Sequence, residues 1–205
     1  LDPEDLREVV RAYQETAAAV IARHEGHIAQ YLGDGLLVYF GYPRPHEDDA
    51  ARAVRAGLEV VGAIRELSLP TTPLPQPLQV RIGIHTGLVV VGEIGGGDRH
   101  EQLALGETPN VAARLQSLAE PNAVVISDAT ERLIEGLFDS DALGPQQLKG
   151  VAAPVGAHRV RAARGAGSRF EVSLQRGLTP LVGRRRELET LAEGWQAART
   201  GVRVV

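Results

Sequence analysis

An α+β fold, with helices laid over one face of a largely antiparallel sheet, is predicted by three observations on this sequence. Apolar stripes of helical period run through residues 2–24 and 47–67. Two apolar runs flank Gly33-Asp34-Gly35, and short β-type runs recur between residues 78 and 160.

Asp2 can cap the first helix and Pro3 fits its first turn. Leu6, Val9, Val10, Tyr13, Ala17, Val20 and Ile21 then recur at helical spacing to about His24. A hairpin follows, His27–Leu32 and Leu36–Phe40, with Asp34-Gly35 as its turn signal. That turn sets a carboxylate at the rim of a sheet, where the strands on both sides fix it. A hard cation such as Mg²⁺ suits such a group, and Mg²⁺ suits a triphosphate. A second helix is predicted from about Glu47 to Leu67, burying Ala50, Val54, Leu58, Val61 and Ile64. Ser68–Pro77 holds four prolines and reads as a loop.

Strands are expected over Leu78–His85 and Leu88–Glu93, joined as a hairpin at Thr86-Gly87. The glycines 95–97 then connect to a strand over Gln102–Leu105. In GETPNVAARLQSLA (106–119), Thr108 is the expected N-cap and Pro109 the first helical residue. Asn110 and Arg114 lie four apart, hence on one face, while Val111, Leu115 and Leu118 take another side. An amide and a guanidinium near a helix N-terminus make a good anion site, because the free N–H groups and the dipole add positive character. Ala123–Ser127 reads as a strand, Asp128–Gly136 as a short helix, and Gln147–Leu148 and Ala157–Val160 as edge strands. The assembled pattern is that of a ferredoxin-like core.

Taken together, GDGLLVYFG (33–41) and GETPNVAARL (106–115) closely resemble the class III nucleotidyl cyclases, the adenylyl and guanylyl cyclase catalytic domain. HEDDAARAVRAGL (46–58) and RIGIHTG (81–87) look like the same family, and the resemblance covers residues 1–161. It implies the nucleotidyl cyclase fold, with its opening strand expected outside this chain. It also implies a homodimer with shared active sites and two Mg²⁺ (or Mn²⁺) ions per site. The implied reaction is attack of the ribose 3′-hydroxyl on the α-phosphate, making cyclic AMP from ATP, with GTP as the alternative substrate. Carried over by position, Asp34 is one metal-binding aspartate, Asn110 orients the ribose, and Arg114 stabilises charge on the α-phosphate. Lys149 contacts the terminal phosphates by the same reasoning. Two positions depart from the family's purine-selecting pair: Gln30 stands for a lysine, and Leu103 for an acidic or hydroxyl residue. A lone Asp34 would hold metal poorly, so this piece is expected to turn over less than its parent. The alternative implied function is a catalytically silent, nucleotide-binding domain that regulates a neighbouring module.

A net charge of −4 over 205 residues, with no basic run, argues against nucleic-acid binding. The absence of cysteine excludes disulfides and thiolate zinc sites, and no membrane-spanning run or signal peptide is visible, so a cytoplasmic location is expected. His85 sits in a motif, yet with no Cys or His at ligand spacing it reads as structural. There is no methionine, so a piece of a longer protein is expected. Residues 162–177 read as a linker. Residues 178–205 resemble the start of a P-loop ATPase module, with a helix from about Arg185 and Trp195 as its packing anchor.

Overall fold

Local sequence and long-range pairing both shape the chain, and the first helices show the local part. A computed structural model describes residues 2–68, 76–94, 101–165 and 183–199, with 91–94, 101–105, 185 and 198 described by backbone only. The chain divides into two compact units, Leu1–Ala166 and Gly167–Val205. Helix α1 spans Pro3–Arg23, and the Asp2 carboxylate accepts from the N–H groups of Glu4 and Asp5, so two otherwise unpaired donors at its start are satisfied. It leads into the antiparallel hairpin β1 (His27–Leu32) and β2 (Gly35–Tyr39). Helix α2 spans Asp49–Glu66. Ala17, Val20 and Ile21 of α1 meet Val60 and Ile64 of α2 in one core, against which Ile28, Leu36 and Val38 of the hairpin also pack.

The α2 stripe is broader than its apolar spacing suggests. Val54 and Ile64 are buried as expected, whereas Ala50, Leu58 and Val61 are only half-buried and Ala51, Ala53, Ala56, Gly57 and Val60 carry the contact. The reason is that α2 packs against α1 and the main sheet at once, and small residues allow that sheet to come close.

The main sheet has the order β3-β6-β8-β7, from β3 (Arg81–Ile84), β6 (Ala123–Ser127), β7 (Phe138–Gln146) and β8 (Val155–Ala163). Only β3 and β6 run parallel. Strand β6 is buried along its whole length, as a central strand should be. Helix α3 (Glu107–Leu118) packs on the face of β3 and β6 that carries Gly83 and Val125, and α2 meets the opposite face at Ile84 and Val124. Helices therefore cover both faces, where one was expected. The short α4 (Asp128–Ile134) packs on β6 and β8.

Three strand expectations need correction. β3 and β4 (Val90–Ile94) do not form a hairpin: β4 pairs with β5 (Glu101–Leu105), and β3 pairs with β6. Residues between them are tied by side chains, Thr86 Oγ1 to Thr130 Oγ1 at 3.0 Å and Thr108 Oγ1 donating to the Leu88 carbonyl at 2.8 Å. Gln147–Leu148 is not a strand; β7 ends before it, and Leu148 turns into the core beneath α3. The segment read as an edge strand at Ala157–Val160 is the middle of β8, interior between β6 and β7.

Expectations for the loop at 68–77 and the glycines 95–97 fall mainly outside the described residues. Of the second unit, helix α5 (Arg185–Arg199) is described, and Trp195 on it is 68% exposed rather than an anchor among the described residues. No helix among the described residues is long and apolar enough to cross a membrane.

One contact sets where α3 lies. A Cβ on Gly83 would sit 2.2 Å from both the Ala112 carbonyl oxygen and the Gln116 backbone nitrogen, so the backbone of α3 rests directly on the backbone of β3. Gly83→Ala is expected to cost about 2–3 kcal/mol and lower the melting midpoint by roughly 4–12 °C, because backbone cannot swing aside as a side chain can. Gly57→Ala is the matched control: its Cβ would meet Ile84 and Val124 side-chain atoms at 3.5 Å, an ordinary contact. Thermal denaturation should find that variant unchanged or stabilised.

Candidate active site

Helix α3 starts two residues earlier than expected. Gly106, with φ 138°, is its N-cap, so Thr108 lies in the first turn and Pro109 is the third helical residue. A proline costs nothing there, since the first-turn N–H groups have no intrahelical partner. Thr108 is drawn off capping by its bond to the Leu88 carbonyl. Val111 (4% exposed) and Leu115 (0%) point into a core with Val125, Leu148 and Ala157. Leu118, expected with them, is exposed, and Ala119 fills the buried position at the helix end. Asn110 and Arg114 are exposed.

Arg114 is oriented by the chain itself. Its Nε donates to the Lys149 carbonyl at 3.2 Å, which leaves the two terminal nitrogens of the guanidinium to meet an anion. The structure therefore brings Arg114 and Lys149 together, through the backbone of the latter, and Lys149 is itself exposed.

Asp34 sits elsewhere, on the loop of the β1–β2 hairpin. Leu32 pairs with Gly35, so the loop is Gly33 and Asp34 alone, one residue shorter than the expected Gly33-Asp34-Gly35. Positive φ (64°) falls on Gly33 and not on Asp34, the pattern of a type II′ turn with glycine at its first central position. Asp34 is exposed. The Tyr13 phenol on α1 is held above its ordinary pKa by burial first and by the Asp34 charge second, which places that carboxylate within electrostatic reach of α1.

Gln30 lies half-buried on β1, beside a register shift between Ile28 and Gln30, and pairs with Leu37. Leu103 lies on β5 opposite Gly92; its side chain is outside the described residues. Among the described residues, no hydrogen bond or ion pair links the Asp34 turn to Asn110, Arg114 or Lys149. No group of three His, Asp or Glu side chains able to hold a metal occurs among them either.

A polar network behind α3 escaped the sequence reading. His85 Nδ1 and Ser127 Oγ share a hydrogen bond of 2.8 Å, Ser127 Oγ lies 3.3 Å from Thr130 Oγ1, and Thr130 Oγ1 lies 3.0 Å from Thr86 Oγ1. Ser127 also caps α4 through the Thr130 N–H. Ser127 and Thr130 are buried, so each hydroxyl needs the partners it has. The sequence signal was present in part: His85 and Thr86 close the RIGIHTG run. Through the Ser127 bond His85 ties the end of β3 to the start of α4.

These elements match a known family. The family model of the adenylate and guanylate cyclase catalytic domain matches residues 1–161. An uncharacterized protein of Rhizobium meliloti (strain 1021) is 31% identical over 201 residues, 98% of this chain and 19% of its own length. Adenylate cyclase 1 of the same organism is 30% identical over 152 residues, 72% of this chain and 23% of its own. Among solved structures, the guanylyl cyclase Cya2 is similar with a TM-score of 0.73 and 34% identity, covering 80% of this chain and 84% of that one.

The chain belongs to the adenylate and guanylate cyclase catalytic domain family, and its α+β architecture is the nucleotidyl cyclase fold. It spans about a fifth of the length of these curated relatives.

Burial lowers the pKa of His85. Folded His85 thus stays neutral at pH values where the unfolded chain is already protonated, so stability falls as pH drops below the ordinary histidine value of about 6.5. Urea midpoints at pH 7.5 and 5.5 should show a larger loss for the parent chain than for His85→Gln.

Proposed function

We propose that this chain is a nucleotidyl cyclase that makes cyclic AMP from ATP. The observation that carries this reading is the exposed Asn110–Arg114 face of α3, backed by the buried Val111 and Leu115 and with Arg114 tethered to the Lys149 carbonyl. The likeness to Adenylate cyclase 1 supports ATP as the substrate, and the likeness to Cya2 makes GTP the comparison to run.

In the proposed reaction the ribose 3′ oxygen forms a bond to the α-phosphorus, the bond from that phosphorus to the oxygen bridging to the β-phosphate breaks, and pyrophosphate leaves. The 3′-hydroxyl proton passes to solvent. Asn110 orients the ribose, and the terminal guanidinium nitrogens of Arg114 meet the charge that builds on the α-phosphate. A preorganised donor of that kind lowers the barrier without reorganising. Lys149 lies beside Arg114 and reaches the terminal phosphates, while Gln30 and Leu103 hold the family's purine-selecting positions. A glutamine amide both donates and accepts, so it can pair with a purine edge; a leucine cannot.

Asp34 offers one hard carboxylate oxygen donor on an exposed turn. That fits Mg²⁺, which is commonly held by one or two carboxylates plus substrate phosphates. Asp34 would hold Mg²⁺ or Mn²⁺, two ions per site in this reading, which when bound would supply charge neutralisation of the triphosphate and a lowered pKa for the hydroxyl.

Asp34 and Arg114 stand on separate elements, one against α1 and the other against β3 and β6. This supports a homodimer in which each site takes Asp34 from one chain and Asn110 and Arg114 from its mate. Leu88 at 96% exposure and Val90 at 67%, next to the start of α3, are apolar surface that such a pairing would cover. Helix α5 is read as the entry of an ATPase module, and the domain as cytoplasmic.

One feature favours a second reading: Gln30 and Leu103 both depart from the family's purine-selecting pair. On that reading the chain binds nucleotide without turnover and regulates its neighbour.

Cyclic nucleotide formation from ATP and from GTP, with Mg²⁺ or Mn²⁺, separates the two. ATP turnover is expected, and Arg114→Ala should lower kcat by about 10²–10³-fold with an unchanged melting midpoint. Arg114→Lys should not restore it, because a point charge lacks the planar fork. Turnover equal to the parent in Arg114→Ala would remove Arg114 from the site; nucleotide binding without product would favour the silent reading.

A further inference from the structure

The loop that carries Asp34 has two residues and little to hold it. A Cβ built on Gly33 finds nothing within 4 Å, so the turn projects into open space. Among the described residues, one side chain bonds to it: the Gln14 amide donates through Nε2 to the Gly33 carbonyl at 3.1 Å.

The identity of that carbonyl matters. Gly33 and Asp34 are the two central residues of the turn, so the Gly33 carbonyl belongs to its central peptide. Rotating this one peptide plane converts a type II′ turn into a type I′ turn, with φ of the second residue changing sign. Glycine resists neither geometry, and aspartate tolerates the left-handed region better than most residues. The flip leaves the Asp34 Cα–Cβ bond nearly where it was, but it changes φ of Asp34 and with it the χ1 rotamers open to the carboxylate. A donor fixed on the Gly33 oxygen selects one of the two.

Gln14 is well mounted for this work. It lies between Tyr13, which packs on the core shared by α1 and α2, and Ala17, Val20 and Ile21, which form it. The bond itself is exposed, so its contribution to global stability is small.

We propose that Gln14 is a positioning residue for the metal-binding carboxylate: by holding the Gly33 carbonyl it keeps the Asp34 turn in the one conformation that presents Asp34 to a divalent cation. This rests on the reading of Asp34 as a metal ligand given above, and it makes α1 part of the site.

The test reads metal binding directly. Mn²⁺ is titrated into the chain with 3′-deoxy-ATP, which lacks the attacking hydroxyl and cannot cyclise, and bound Mn²⁺ is followed by electron paramagnetic resonance. Gln14→Leu is expected to weaken Mn²⁺ binding about 10-fold, the scale of losing an outer hydrogen bond at a metal site. Its melting midpoint should stay within about 2 °C of the parent. Gln14→Lys keeps a donor at similar reach and should bind within about twofold of the parent, which a merely structural role would not require.

Unchanged binding in Gln14→Leu, while Asp34→Asn weakens it, would overturn the positioning role and leave the cyclase reading standing. Unchanged binding in Asp34→Asn, or no Mn²⁺ bound by the parent, would overturn the reading of Asp34 and the inference with it.

Discussion

The structure depends on the absence of one side chain. At Gly83 the backbone of β3 meets the backbone of α3, with no room for a methyl group between the strand and Ala112 or Gln116. That contact fixes how far α3 stands above the sheet. It also sets the rotation of the helix: with Ala112 and Gln116 on the strand, Val111 and Leu115 turn to the core and Asn110 and Arg114 to the open side. The remaining supports act on the ends of the same helix. Thr108 ties its start to the Leu88 carbonyl, and Arg114 reaches the Lys149 carbonyl. A polar pair is thereby held on a rigid element, which is where a charge-stabilising group must be to act without reorganising.

The charges of the candidate site are distributed to match. The guanidinium belongs to a helix laid on the main sheet, and the Asp34 carboxylate to a hairpin carried by α1 and α2. Two opposite charges held apart in one chain would lose their mutual attraction unless a ligand or a second chain lies between them. A triphosphate with divalent cations is such a ligand, because its oxygens need a cation on one side and metal-bearing carboxylates on the other. A twofold pairing of chains is such an arrangement, and it generates two equivalent sites at once.

Patterns of short range were legible in the sequence, and patterns of long range were not. α1 with its Asp2 cap, the β1–β2 hairpin and β6 all follow from periodicity, capping and turn chemistry. The exposure of Asn110 and Arg114 opposite Val111 and Leu115 followed from their spacing on a helix. By contrast, β7 reads FDSDALGPQ, a polar run with Gly and Pro, and is a strand only because β8 pairs with it. The exchange of partners that sends β3 to β6 and β4 to β5 has no local signal. Gly83 is a contact surface for a helix 29 to 33 residues onward in the chain, at Ala112 and Gln116, and nothing in the RIGIHTG run names that partner. The two bonds nearest the candidate site residues, Arg114 to the Lys149 carbonyl and Gln14 to the Gly33 carbonyl, use backbone acceptors, which every residue has and no sequence pattern marks.

The central claim is that Asp34 of one chain and Arg114 of another act on one triphosphate, and subunit complementation tests it directly. Asp34→Asn and Arg114→Ala chains, each inactive alone, are mixed in equal amounts and assayed for cyclic nucleotide. Random exchange makes half the dimers mixed, and each mixed dimer holds one intact site and one doubly damaged site, so activity should return to roughly a quarter of the parent's. If the mixture stays as inactive as its parts under conditions where the chains demonstrably exchange, the two residues do not serve a shared site and the account fails.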